Sequence, residues 1–345
     1  MNLHYFFDHQ NNFGDALNGW LWDALLADRT MQAEHVRLCG IGSILNHNLP
    51  GGQPMVIMGS GIGYGPAPSG CARHWDVAAV RGPLSAKCLG LAPDKAITDG
   101  AMLLSLLPEY WPSPRSRSGT LFIPHYMTVD GGAWAQACAI AGVEFVDPRS
   151  DSRAILAKIQ SAELVIAGAM HGAIVADVLR TPWLSTTFDP RSGSFKWNDW
   201  CLSMQIDHRP HALPASTLCE RVRNWALPSG GYRLPHAAQG IETLAHAYRR
   251  ANRAAAHSVT TVYRKIATRA AHAIATQFGA IEQRFAPGRS PRRVSEAAMA
   301  LNALTSVTPM LSHDSVYHQQ RERMAVALRG TAGRYGLTLR EGLAL

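Results

Sequence analysis

The chain has 345 residues, 47% of them apolar and 17% charged, a balance that supports a folded protein with a sizeable core and excludes a disordered chain or a coiled coil. At this length about 75% of the unfolded surface is buried and division into two domains is usual. The formal net charge of +8 is uneven, because residues 1–230 carry 17 basic and 19 acidic side chains while residues 231–345 carry 16 and 6, so the positive excess lies in the last third.

The opening residues, MNLHYFFDHQNN, have no basic segment followed by a long apolar run and do not read as a signal peptide. Leu3–Phe7 is the first expected strand. The polar turn and helix of NNFGDALNGWLWDALL, residues 11–26, follow, with the helix expected over Asp15–Leu26. Around Gly14, the side chains of Asn11, Asn12, Asp15 and Asn18 either face a cleft together with the free N–H groups of the helix start, or simply cap the helix while Trp20 and Trp22 fill the core. Strands are next expected over Val36–Cys39 and Pro54–Met58. The second runs into GSGIGYGP, residues 59–66, whose alternate glycines allow close passage. Gly59, Ser60 and Gly61 then lie against either a sugar or phosphate ligand or a neighbouring strand. The segment does not match GxGxxG, and the PAPSG after it cannot open a helix at once, which argues against a dinucleotide fingerprint. A strand over Val77–Val80 ends at Arg81, and Gly82-Pro83 turn into a helix over Pro83–Leu89. That position aims a guanidinium into a cleft, where it suits bidentate recognition of carboxylate or phosphate; the alternative is a salt bridge. Ala96–Thr98 as a strand and Ala101–Leu107 as a helix complete the first half.

Pro108 to Gly119, rich in Pro, Ser and Arg, reads as a linker, and the α/β pattern restarts after it. Strands are expected over Thr120–Ile123, Val143–Val146, Leu164–Ala167 and Trp183–Thr186, with helices over Gly132–Ile140, Asp151–Ser161 and His171–Leu179. His125, in IPHYMT, follows the first of these strands. In ELVIAGAMHGAIVADVLRTPW, residues 163–183, His171 and Gly172 stand where a helix starts after a buried strand. An imidazole there sits beside exposed helix N–H groups, Gly172 admits a ligand close to the backbone, and histidine transfers protons near neutral pH; a structural histidine is the alternative. This stretch is also the most apolar, but His171 and Asp177 interrupt it and it is shorter than the ~20 residues of a membrane span. FDPRSGSFKWNDWC, residues 188–201, combines Arg191, Lys196 and Trp197, suited to an anionic or sugar ligand or, more simply, to anchoring the chain as it leaves the sheet.

Beyond Leu234 strand formers nearly vanish. Apolar residues from Ile241 to Phe285 recur at three- and four-residue spacing with Arg249, Arg250, Arg253, Lys265 and Arg269 mostly off the stripe, the pattern of a basic amphipathic helix or helical pair. Pro287 and Pro291 are expected to end it, and the remainder to Leu345 is weakly patterned and reads as partly disordered. The fold class is therefore α/β, as two Rossmann-like domains over residues 1–112 and 119–230 with a basic Ala/Arg-rich helical tail over 231–345. Such consecutive open halves place a ligand in the cleft between them, near the carboxyl ends of the strands, an arrangement that resembles the two-domain glycosyltransferase architecture called GT-B. Six cysteines without a CxxC pair favour a reducing compartment and provide no structural zinc pattern.

In order and spacing, NFGDALN, GSGIGYGP, VRGPLSA, ITDGAMLL, FIPHYMT, AGAMHGAIVADVLRTPW and FKWNDW resemble the polysaccharide pyruvyl transferase family, in its branch of exopolysaccharide ketal-forming enzymes, from about Asn11 to about Pro214. The resemblance implies a GT-B-like fold and a reaction in which phosphoenolpyruvate, the donor, gives its three-carbon unit to two hydroxyls of one sugar on a lipid-linked repeat unit. The family's important arginine and histidine map onto Arg81 and His171; His125, Gly172, Arg191 and Lys196 are expected to help hold the donor. Neither a metal nor a further cofactor is expected. The cysteine usage and the lack of a signal-peptide pattern or span make a cytoplasmic protein the expectation. The implied lipid-linked acceptor suits a basic tail that touches the anionic inner face of the membrane, and the alternative is that the tail's apolar stripe packs on the two domains. Two other readings are a GT-B glycosyltransferase that uses a nucleotide sugar and a nucleic-acid-binding protein driven by the tail. The tail carries no recognisable nucleic-acid-binding motif, so nucleic acid is not an expected partner.

Overall fold

The apolar runs of the sequence pair as two separate parallel sheets, one in each half. A computed structural model describes residues 2–5, 11–28, 36–47, 49, 53–63, 65–68, 74–111, 116–187, 193–226, 233–234, 240–255, 273–280, 284–285 and 288–345. Met55–Met58 and Leu164–Ala167 are buried at every position, as strands covered on both faces must be, which is why they read as continuous apolar runs rather than alternating ones.

In the first sheet Asn2–Leu3, Arg37–Cys39, Met55–Met58 and Trp75–Ala79 lie side by side in chain order, with Leu38 opposite Val56 and Ile57 opposite Val77. The expected strand Ala96–Thr98 is reduced to a single bridge between Val80 and Ala96. The chain leaves the sheet there because Asp99 accepts the N–H of Ala101 and starts a 3-10 helix, Gly100–Leu106, in place of the expected α-helix. All seven of its residues are buried, packed between the helices Met170–Val178 and Asp314–Tyr335. The expected helix Asp15–Leu26 divides into Phe13–Ala16 and Asn18–Leu25, and the Asn12 side chain accepts from the Gly14 N–H. Pro83–Leu89 is a helix as expected, with proline in its first turn and Gly90 closing it.

The second sheet runs His211–Ala212, Trp183–Thr187, Leu164–Ala167, Thr120–Ile123, Glu144–Phe145 across its width. The first strand in the chain, Thr120–Ile123, therefore lies between the second and the third. The connections on its two sides leave in opposite directions, and this opens a crevice beyond the carboxyl ends of Thr120–Ile123 and Leu164–Ala167. Trp134–Ala141, Ser152–Ser161 and Met170–Val178 are the intervening helices.

The last third keeps the expected helix in its first described stretch and departs from the sequence expectation after Pro291. Gly240–Ala255 is helical and packs on Pro83–Leu89, burying Leu244 and Tyr248, with the Tyr248 ring 4.5 Å from Phe195. Residues 256–272 and 281–283 of the expected long helix lie outside the described residues. The segment after Pro291, read as partly disordered, is corrected: it forms the helices Arg289–Leu304 and Asp314–Tyr335. Pro291 is tolerated because it stands in a first turn, where an N–H has no partner within the helix. The pattern is weak because Asp314–Tyr335 fills its buried stripe with Ala325, Ala332, Thr331 and Gln320 beside Met324 and Leu328, so composition alone does not set it apart from the exposed face. This region is integral to the fold. Asp177 accepts from Trp183 Nε1 (3.0 Å) and from the N–H and Oγ–H of Ser312 (2.9 and 2.5 Å), and Thr338–Leu339 pairs with Leu26–Asp28. Part of the positive excess is held on the body of the protein, where Arg334 meets Asp76 at 2.8 Å and Arg340 donates to the Asp23 carbonyl at 2.6 Å. Among the described residues, no helix is long and apolar enough to cross a membrane.

Candidate active site

A cavity of about 610 Å³ opens at the crevice of the second sheet and is walled by both halves. The first half contributes Tyr5, Asn12, Asp15 and Ser43; the second contributes His125, His171 and Lys196. The two histidines occupy equivalent places, each just past the end of one of the two strands that flank the crevice. The strands come together there because the N–H groups of Gly168 and Ala169 both donate to the Ile123 carbonyl, at 2.8 and 3.1 Å.

His171 is the second residue of the helix Met170–Val178 and is 7% exposed. Its Nε2 faces Asp99 Oδ2 at 4.0 Å, and both atoms are sealed from solvent with no hydrogen-bond partner. The opposite side of the ring rests on Gly14, where a Cβ would fall 2.0 Å from Nδ1 and 2.2 Å from Cγ. Only glycine leaves room for the imidazole, so Gly14→Ala is expected to displace the ring or the helix start. The expected result is a loss of about 1–3 kcal/mol in urea unfolding, as for other overpacked interiors. An unchanged midpoint would show that the ring does not occupy that space.

Electrostatics hold both imidazoles neutral. Burial, then Lys196 and Arg81, push His171 down to about 3, and burial, then Lys196 and Arg223, push His125 down to about 3. Asp99 is pushed up to about 6 by burial, against the opposing pull of the Ala101 N–H and Arg81. Lys196 thus acts on both histidines, and the cavity sets a cation beside neutral proton acceptors. A ligand with several negative charges matches that field, and neutral imidazoles can take a proton from it or from a hydroxyl beside it. Arg223 donates to the Met127 carbonyl and keeps its Nη2 buried without a partner, a further donor behind His125. Among the described residues, no group of three or more His, Cys, Asp or Glu is arranged to hold a metal ion.

Over 224 residues, 64% of this chain and 71% of the other, the sequence is 38% identical to the succinoglycan biosynthesis protein ExoV of Rhizobium meliloti (strain 1021). The chain belongs to the family of that protein. No family model matches the sequence, and no solved structure matches it.

The expected site residues divide into those that reach the cavity and those that build its walls. Asn12, Asp15, His125, His171 and Lys196 line it, with Asn12 Nδ2 donating to Asp15 Oδ2 at 2.8 Å. Arg81 does not project into it. Its guanidinium is fully buried, with Nε 3.2 Å from Asp199 Oδ2, Nη1 donating to Ser43 Oγ at 2.5 Å and Nη2 donating to the Ile62 carbonyl. Asp199, in the helix Phe195–Ser203, also accepts from Ser85 N–H (2.9 Å) and Ser85 Oγ–H (2.5 Å), so this ion pair ties the first half to the second. The guanidinium turns inward because the other half supplies a buried carboxylate for it, and Ser43 is its only link to the cavity among the described residues.

The glycine segment crosses protein rather than lining the cavity. Gly59, at φ +96°, passes so close to the start of the 3-10 helix that a Cβ would meet the Gly100 nitrogen at 2.2 Å; Gly61 lies against the Arg81 guanidinium, and Ser60 donates to the Gly40 carbonyl at 2.7 Å. Gly172 faces the sheet, against Ala167 and Ile123. Asn18 is internal, joined to Ile41 in both directions at 3.0 Å, and Asn11 is exposed with its amide on the Arg149 carbonyl. Trp197 is buried and stacks on His208. Arg191 lies outside the described residues. The sequence reading missed Tyr5, Ser43, Ile44, Asn46 and Tyr126 as lining residues, and Asp99 behind them. Ser43 and its neighbours stand in a segment with neither helical nor strand period, and Asp99 reads as an ordinary cap; only the ITDG run within the family resemblance marked its place.

Proposed function

We propose that this protein transfers the three-carbon unit of phosphoenolpyruvate to two hydroxyls of one sugar on a lipid-linked exopolysaccharide repeat unit, closing a pyruvate ketal and releasing phosphate. The observation that carries this reading is the cavity itself, which places Lys196 beside His171 and His125, two imidazoles kept neutral by burial first and by Lys196 and the arginines behind them second. A donor with a carboxylate and a phosphate suits that field, and membership in the family of a succinoglycan biosynthesis protein supports a role as a transferase in polysaccharide assembly. The two parallel sheets with the cavity at a strand crossover are consistent with a GT-B-like pair of domains.

In this reading both sugar oxygens bond to C2 of the donor, and the bond from C2 to the phosphate oxygen breaks. One hydroxyl proton ends on C3 and the other leaves with phosphate. His171 exchanges these protons, His125 and Lys196 hold the donor's anionic groups, and Arg81 adds positive charge through the wall and through Ser43. Asn12, Asp15 and Tyr5 are on hand for the acceptor's hydroxyls and ring. The test is incubation of the full chain with phosphoenolpyruvate and a lipid-linked or synthetic glycoside, reading phosphate release and a product heavier by one pyruvate ketal. Thermal stabilisation by a nucleotide sugar, with none by phosphoenolpyruvate, would overturn the reading in favour of a glycosyltransferase.

Proton linkage provides a check that needs no acceptor. In the free protein burial, and after it Lys196 and Arg81, hold His171 down to about 3; a bound polyanion offsets the part due to the two cations and raises it. A group whose pKa rises on binding takes up a proton, so its contribution to affinity is fully present below the free value, declines as pH rises between the free and bound values, and is gone above the bound one. Calorimetry of phosphoenolpyruvate binding at one pH, in buffers of different ionisation enthalpy, is expected to show net uptake of up to about one proton. Net release would contradict the assigned field.

A further inference from the structure

Asp99 and His171 each bury a polar atom with no partner, and those two atoms face each other. Oδ1 of Asp99 is committed to the Ala101 N–H at 3.0 Å, while Oδ2 points at His171 Nε2 from 4.0 Å with nothing else in reach. The separation is longer than a hydrogen bond, as is common at reacting groups before a ligand tightens the site. A buried polar atom without a partner costs about 1–3 kcal/mol, so two such atoms face to face are a liability for stability alone and make sense where a proton has to be placed. We infer that Asp99 is the positioning residue for His171: its Oδ2 receives the Nε2–H, which fixes the tautomer and leaves Nδ1 as the nitrogen that exchanges a proton with the ligand. Gly14 bears on the same ring, because a Cβ there would fall 2.0 Å from Nδ1 and drive the imidazole out of its place facing Asp99. The charged groups around the pair are Lys196 and Arg81 on the histidine side and Arg81 and Asp199 on the aspartate side. This inference rests on the proposed function only for the identity of the ligand.

The chain has 15 histidines, so His171 is assigned by comparing ¹⁵N-histidine spectra of the full-length protein with those of His171→Gln. Long-range ¹H–¹⁵N correlations near neutral pH are expected to show His171 as the Nε2–H tautomer. In Asp99→Asn the amide oxygen can keep the Ala101 N–H, which turns the NH₂ toward Nε2; the tautomer is expected to invert to Nδ1–H. In the transfer assay the same variant is expected to lose about 10³–10⁴ in kcat with little change in KM, the size seen when a histidine is held in the wrong tautomer. A wild-type Nδ1–H tautomer, measured without any variant, overturns the inference, and so does an unchanged tautomer in a folded Asp99→Asn. A wild-type protein that shows the Nε2–H tautomer but releases no phosphate from phosphoenolpyruvate leaves the Asp99 assignment standing and overturns the pyruvyl reading instead.

Discussion

His171→Gln is expected to lower phosphate release from phosphoenolpyruvate by about 10²–10⁴, the range for loss of a positioned acid or base. Stability is expected to stay within about 1 kcal/mol of wild type, because the imidazole's sealed nitrogen makes no hydrogen bond that folding relies on. The pairing of a large kinetic effect with a small thermodynamic one separates a reacting group from a structural histidine. Urea unfolding supplies the second number, and a His171→Gln protein with full activity would remove this residue from the chemistry.

Arg81→Met is expected to do the reverse at first sight. It removes one partner of a fully buried ion pair and strands Asp199, a change that costs about 3–5 kcal/mol. It also frees Ser43 Oγ and the Ile62 carbonyl of their donor. Burial already pushes the Asp199 carboxyl upward, and without Arg81 only the two groups of Ser85 oppose that. The second substitution, Asp199→Asn, removes the stranded charge while keeping an acceptor for Ser85, so Arg81→Met/Asp199→Asn is expected to recover most of the loss in unfolding free energy. Activity is the discriminating readout. If Arg81 supplies field to the donor through the cavity wall, the double variant stays impaired in phosphoenolpyruvate binding after its stability returns; full recovery of both would make the arginine purely structural.

Both predictions turn on residues found in the sequence for a reason only partly borne by the structure. Arg81 stands out because it ends a strand immediately before Gly-Pro and a helix, and that local reading of strand, turn and helix is correct. What local reading could not supply is the carboxylate on a helix from the other half, toward which the guanidinium turns. His171 was legible for a different reason. An imidazole just past a fully apolar strand has little choice but to lie at the sheet's carboxyl edge, whatever the rest of the chain does. Gly59 and Gly61 show the limit of composition: close approach is evident from the glycines, but the approaching atoms are protein backbone and a guanidinium rather than a ligand.

By itself the sequence determined the parallel α/β class, the extents of most strands and the place of Arg81, His125 and His171 just past strand ends, since burial on both faces demands continuous apolar runs. It also located the positive charge in the last third. The tertiary structure decided which strand ends meet. The crossover that sets Thr120–Ile123 between Glu144–Phe145 and Leu164–Ala167 brings His125 beside His171, and the 3-10 turn after Asp99 delivers a carboxylate to the same imidazole. It decided as well that the helix Asp314–Tyr335 is part of the core, because a helix striped with alanine, threonine and glutamine gains its burial from the neighbours it packs on and not from its own hydrophobicity.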